Sequence, residues 1–139
     1  MQNKVFLDTS YSIAAAVGKD EFHARARELS IQIRADDIKI ITTQAVILEI
    51  GNALFKLKYR QAAIEIIQFL NSDPNTSVIS LTNEIYEAAF ELFCSRPDKE
   101  WGLVDCISFI VMRERGIEAA LTADEHFVQA GFRALLREE

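Results

Sequence analysis

Val5-Phe6-Leu7-Asp8-Thr9-Ser10 decides how the rest of the chain is read. Three consecutive apolar residues, without alternation, mark a short strand covered on both faces, as in parallel sheets. Asp8, Thr9 and Ser10 follow at once with side-chain oxygens suited to capping a helix N-terminus. The same strand-to-helix alternation continues along the sequence. The first helix ends near Gly18 and a second fits residues 21–34. Short strands fit 38–41 and 77–80, and between them run a long helix over 43–58 and another over 60–70. Thr82 opens a helix reaching Ser95. After the polar break Arg96-Pro97-Asp98-Lys99, a very apolar helix over 103–115 stops at Gly116. Strands over 119–122 and 132–136 complete the set. This order predicts an α/β fold of three layers, a central parallel sheet of four to five strands with helices on both faces. Ligands in such sheets bind beyond the carboxyl ends of the strands.

The 139 residues fit one domain, 1–139, and 50% hydrophobic with 26% charged residues is the balance of an ordinary globular protein. The longest apolar stretches, such as 107–112, are broken even there by Ser108 and fall far short of the roughly 20 residues of a membrane helix. The N-terminal MQNKVFLD has neither an extended apolar core nor a small-residue cleavage site, so a cytoplasmic location is expected. Cys94 and Cys106 lie in or beside apolar helical stretches and read as buried, reduced thiols. His23 and His126 match no zinc spacing and read as surface or cap residues. The net charge of −6 lacks the basic footprint of a non-specific nucleic-acid binder. If four of the 21 acids hold cations, the remaining surface carries only −2.

Those four are Asp8, Glu49, Asp105 and Asp124. Asp8 and Asp124 each follow a strand, where a carboxylate either caps the next helix or lines a ligand site. Glu49, Asn52 and Lys56 are the polar exceptions on an otherwise apolar helix, spaced three and four apart along one stripe. The stripe suits either solvent or a cleft, with Glu49 as a ligand and Lys56 beside a phosphate. Gly51 in the same helix implies close approach by another element, whether helix or substrate. Asp105 sits among Leu103, Val104, Cys106, Ile107 and Phe109, with only Ser108 polar nearby. An ionised carboxylate there costs several kcal/mol, about what desolvating a charge requires, unless it is paired or metal-bound. No lysine or arginine lies within two residues of any of the four. Converging carboxylates without basic neighbours call for a hard divalent cation, which fits Mg2+ better than calcium or zinc.

The series Phe6-Leu7-Asp8-Thr9-Ser10, Glu49, Trp101-Gly102-Leu103-Val104-Asp105-Cys106 and Leu121-Thr122-Ala123-Asp124 with Phe127 resembles the PIN domain. It is most similar to the PIN ribonucleases of VapC-type toxin–antitoxin pairs and their stand-alone bacterial relatives, over nearly the whole chain. The resemblance implies a PIN-like fold with a negatively charged pocket at the strand ends. Asp8, Glu49, Asp105 and Asp124 are then its four acidic, metal-binding and catalytic positions. Thr9, Ser10, Asn52 and Ser108 would orient carboxylates or water, and Lys56 would touch substrate. It further implies an endoribonuclease using Mg2+, with Mn2+ able to substitute, leaving a 3′-hydroxyl and a 5′-phosphate. The implied partners are an RNA substrate, a second copy in a homodimer, and an antitoxin protein. One departure stands out: after Asp124 comes Glu125-His126, where some relatives carry a further acid two residues on.

No serine–histidine or cysteine–histidine arrangement accompanies these acids, so the reaction expected is metal-assisted phosphodiester hydrolysis. Trp101 or Tyr59 could stack an unpaired base, with residues 56–60 touching backbone. A haloacid-dehalogenase-like phosphatase would need a second Asp where this chain has Ser10. A response-regulator receiver would need a late strand-end lysine where it has Thr122-Ala123-Asp124. The alternative outside enzymology is a non-catalytic PIN-like module that binds RNA or protein.

Overall fold

The computed structural model describes residues 3–138; Met1 and Gln2, at the head of the N-terminal segment read above, and Glu139 lie outside it. Five strands form one parallel sheet in the order β3-β2-β1-β4-β5. They are β1 (Lys4–Leu7), β2 (Lys39–Thr43), β3 (Thr76–Ile79), β4 (Ala119–Leu121) and β5 (Arg133–Ala134). Pairings such as Val5 with Ile40 and Leu7 with Leu121 place β1 at the centre. The helices are α1 (Thr9–Ala16), α2 (His23–Ala35), α3 (Gln44–Ala53), α4 (Leu57–Ser72), α5 (Asn83–Ser95), α6 (Leu103–Glu114) and α7 (Glu125–Gln129), and a 3-10 turn, Leu135–Arg137, follows β5. Among the described residues no helix is long and apolar enough to cross a membrane.

The unbroken apolar run of β1 is explained by what covers it. Phe6 packs on Phe127 of α7, which in turn meets Phe109 of α6 edge-on at 5.0 Å between ring centroids. On the other side, Leu7 and Ile40 line a cavity together with Tyr11 of α1, Ile33 of α2 and Ile66 and Leu70 of α4. Val5, Phe6 and Leu7 are buried accordingly. Fully burying each such side chain contributes about 1.5–3 kcal/mol, so β1 acts as the axle of both packing layers.

Three expectations need correcting. The helix expected over 43–58 ends at Ala53: Leu54 leaves helical geometry, Lys56 is extended, and α4 restarts at Leu57. A single helix apolar nearly all round could not have buried every side. The break seats Leu54 at 2% exposure and lets α4 bury Ala63 and Leu70 on a face of its own. Lys56 therefore does not share a helical stripe with Glu49. The last strand is shorter than expected, two residues followed by the 3-10 turn. The helix that Asp124 caps, α7, is only five residues long, too few to display helical periodicity. Both cysteines are free, but Cys94 is exposed and only Cys106 is buried.

Candidate metal centre

The sheet order reverses between β1 and β4, since β2 lies on one side of β1 and β4 on the other. At such a switch point the connections leave in opposite directions and open a crevice at the strand ends. Asp8 follows β1 and Asp124 lies three residues after β4, so both stand at its rim. Asp8 N donates to Leu121 O at 3.2 Å, joining the two strand ends directly.

Asp8 is buried and its Oδ2 gathers donors. It accepts from Thr122 Oγ1 at 2.8 Å, Ser10 Oγ at 3.0 Å and Ser10 N at 3.4 Å. Thr122 Oγ1 also accepts from Asp124 N at 3.0 Å, and Ser10 Oγ accepts from Ala123 N at 3.0 Å. These hydroxyls thus stitch the loop after β4 onto the loop after β1. Asp8 and Asp124 do cap α1 and α7, taking the Ser10 and His126 amides. Capping occupies part of each carboxylate, so cap and site are not exclusive roles.

Asp105 stands in the first turn of α6, where its Oδ2 accepts from Gly102 N at 3.2 Å. The helix N-terminus favours a carboxylate there, which lessens the cost of partial burial. Glu49 on α3 accepts from Thr9 Oγ1 at 2.5 Å, next in sequence to Asp8. Thr9 and Ser10 are thus hydrogen-bonded to acids of the set. Ser108 is not: it is buried and donates to Val104 O at 3.1 Å within its own helix. Asn52 and Lys56 are exposed. Trp101 does not offer its face to a base. It is 4% exposed, donates to Gln129 Oε1 and packs on Phe109.

Electrostatically Asp8, Asp105 and Asp124 are linked. Burial is the largest influence on Asp8 and pushes its carboxyl up to about 6; the Thr122 and Ser10 hydrogen bonds oppose the shift and the Asp105 charge adds to it. Asp105 is also pushed up, by burial first and then by Asp124, against hydrogen bonds from His126 and Gly102. Among the described residues no lysine or arginine forms an ion pair with Asp8, Glu49, Asp105 or Asp124. Carboxylates that folding makes costly to ionise, without a lysine or arginine to pair with, are the donor set a hard divalent cation requires.

His126 corrects the sequence reading. It is no isolated surface or cap residue: its Nδ1 lies 3.0 Å from Asp105 Oδ2 and 3.3 Å from Asp124 Oδ1. Asp105, Asp124 and His126 are the described residues whose ligand atoms gather tightly enough to hold a metal ion. Asp8 and Glu49 do not join that trio within the same span. Thr122 stands in the Leu121-Thr122-Ala123-Asp124 motif, but its part in holding Asp8 and the Asp124 amide emerges only from the fold.

A PIN domain family model matches residues 5–133, a span that contains all four acids and His126. The chain is 29% identical over 128 residues to the 23S rRNA-specific endonuclease VapC20 of two Mycobacterium tuberculosis strains, covering 92% of this chain and 95% of the relative. The crystal structure of Mycobacterium tuberculosis VapC20, a sarcin–ricin loop-cleaving toxin, superimposes with a TM-score of 0.80 at 27% identity. That match covers 92% of this chain and 95% of the other.

Proposed function

The chain belongs to the PIN domain family, and from that premise we propose a single-domain, Mg2+-dependent endoribonuclease that serves as the toxin of a toxin–antitoxin pair. Asp8, Glu49, Asp105 and Asp124 are its catalytic and metal-holding acids. The observation that carries this reading is the convergence of Asp8, Asp105 and Asp124 at the β1/β4 switch point without a lysine or arginine partner. The relatives are endonucleases acting on RNA, and the specificity of VapC20 makes a 23S rRNA sarcin–ricin stem-loop the first substrate to test.

A divalent cation held by these acids supplies an activated water and relieves charge on the phosphoryl oxygens. The protein's own part is to hold the acids still. Thr122 and Ser10 fix the Asp8 carboxylate, Thr9 fixes Glu49, and Gly102 N fixes Asp105. Such outer contacts set ligand orientation and hence metal affinity. Location in the cytoplasm, homodimer formation and an antitoxin partner belong to the same proposal. The exposed, stacked Tyr86, Phe90 and Phe93 of α5 offer apolar surface for association.

The test is cleavage of the stem-loop RNA with Mg2+ and with chelator, comparing wild type with Asp8→Asn and Asp105→Asn. Each variant should lose roughly a hundredfold or more, at least what disturbing a metal site's supporting contacts costs. Wild-type rates in both variants would overturn the site assignment.

A further inference from the structure

The pocket contains one basic nitrogen that an all-carboxylate site would lack. His126 Nδ1 approaches Asp105 Oδ2 at 3.0 Å and Asp124 Oδ1 at 3.3 Å. A ring nitrogen carries at most one hydrogen, so it can donate well to one carboxylate while the second oxygen still stands 3.3 Å away. A shared metal explains both. Ligand atoms at adjacent corners of an octahedron with metal–ligand distances near 2.1 Å lie about 3.0 Å apart. The backbone places the ring and one of these acids as a unit: His126 N donates to Asp124 Oδ1 at 2.9 Å in the first turn of α7. Phe127, fully buried against Phe6 and Phe109, anchors that turn to the core.

We infer that His126 is itself a ligand of the metal centre, and that the Asp105–Asp124–His126 trio favours Mn2+ over Mg2+. This rests on the metal-dependent function proposed above and refines it. Magnesium prefers oxygen ligands and gives up its waters reluctantly, so an imidazole adds little to its binding. Manganese shares the preference for carboxylates and, as a first-row transition ion, also binds mixed nitrogen–oxygen sites, at the weak end of the Irving–Williams series. Ligation through Nδ1 puts the ring hydrogen on Nε2. Asp8, coupled to Asp105, and Glu49, held by Thr9, complete the negative lining.

The experiment uses the full chain, stripped of metal, with Mn2+ alone and Mg2+ alone and no RNA. Loss of the free Mn2+ signal in electron paramagnetic resonance gives its affinity, competition gives that of Mg2+, and pulsed resonance detects directly bound nitrogen. The variants are His126→Ala and His126→Gln, the second keeping a hydrogen-bond donor for Asp105, and both are checked for folding by circular dichroism. Wild type should bind Mn2+ at least about tenfold more tightly than Mg2+ and show nitrogen coupling. Both variants should lose the coupling and about tenfold or more in Mn2+ affinity, while Mg2+ affinity changes less than about threefold. Absence of nitrogen coupling in wild type overturns the inference, as does unchanged Mn2+ affinity in His126→Gln. If wild type still cleaves RNA with Mg2+ in either case, the proposed function stands and only this refinement falls. A wild-type protein that binds neither ion and cleaves nothing sinks both.

Discussion

At Asp8, burial and hydrogen bonding pull in opposite directions, and burial wins. The carboxyl is pushed up to about 6 from an ordinary 3.8 even though two hydroxyls favour its charged form. Between those two values the folded state binds the proton more tightly than the unfolded chain does. Stability of the metal-free protein therefore falls as pH rises through this window, and the loss is complete above pH 6. At about 1.36 kcal/mol per unit, the ionised Asp8 destabilises the metal-free fold by roughly 3 kcal/mol. Asp8→Asn removes the charge but keeps an acceptor for Thr122 and Ser10. It should raise the melting temperature in chelator at pH 7.5 and change it little at pH 4, while abolishing cleavage. A melting temperature that drops at pH 7.5 would show that the carboxylate is stabilised some other way. Thr122 offers a second test, since its hydroxyl serves Asp8 and Asp124 N together. Thr122→Val keeps the shape but leaves the Asp124 amide unpaired and takes the shortest of its hydrogen bonds from Asp8. A cost of about 1–3 kcal/mol in unfolding and about tenfold or more in kcat is expected, and Thr122→Ser should restore most of it. Equal loss in both variants would mean that the methyl group, and not the hydroxyl, is what matters.

Helices and strands differ in how plainly the chain announces them. The β1 run and the hydroxyls after it were legible because burial on both faces and capping each demand particular residue types in a fixed order. Thr43 and Thr82 likewise cap α3 and α5 through the Val46 and Ile85 amides. The α3/α4 break was not legible: Leu54-Phe55 continues the apolar run with neither glycine nor proline, and only the packing of α4 makes the turn favourable. For the site, the four acids stood out as charges in costly places. His126 and Thr122 did not, because their roles come from partners 21 and 114 residues away. Gly51 shows the same dependence on tertiary context. A Cβ there would meet Ile67 of α4 at 3.8 Å, an ordinary contact, so the close approach expected at this glycine is not found and alanine fits. Gly51→Ala should therefore stabilise the protein by about 0.5–1 kcal/mol, read from denaturant midpoints at unchanged slope, with cleavage unaffected. Destabilisation instead would mean that α3 and α4 approach more closely than this.

Over the whole molecule, the centre links folding to metal. Without a cation, the protein holds Asp8, Asp105 and Asp124 close together in a chain already at −6. An ion that binds only the folded state adds RT ln(1 + [L]/Kd), about 2.7 kcal/mol at a hundredfold excess over Kd. Because the cation needs ionised ligands, it competes with the protons that Asp8 and Asp105 retain more tightly than ordinary carboxyls do. The increment in melting temperature on adding Mg2+ or Mn2+ should thus be several degrees at pH 7.5, much smaller at pH 5, and nearly absent in Asp105→Asn at either pH. Calorimetric scans with metal and with chelator measure this directly. The sign also separates two origins of stability: pH alone weakens the metal-free fold between about 4 and 6, whereas pH strengthens the metal's contribution over the same window. An increment independent of pH, or one surviving Asp105→Asn undiminished, would place the stabilising ion somewhere other than this cluster.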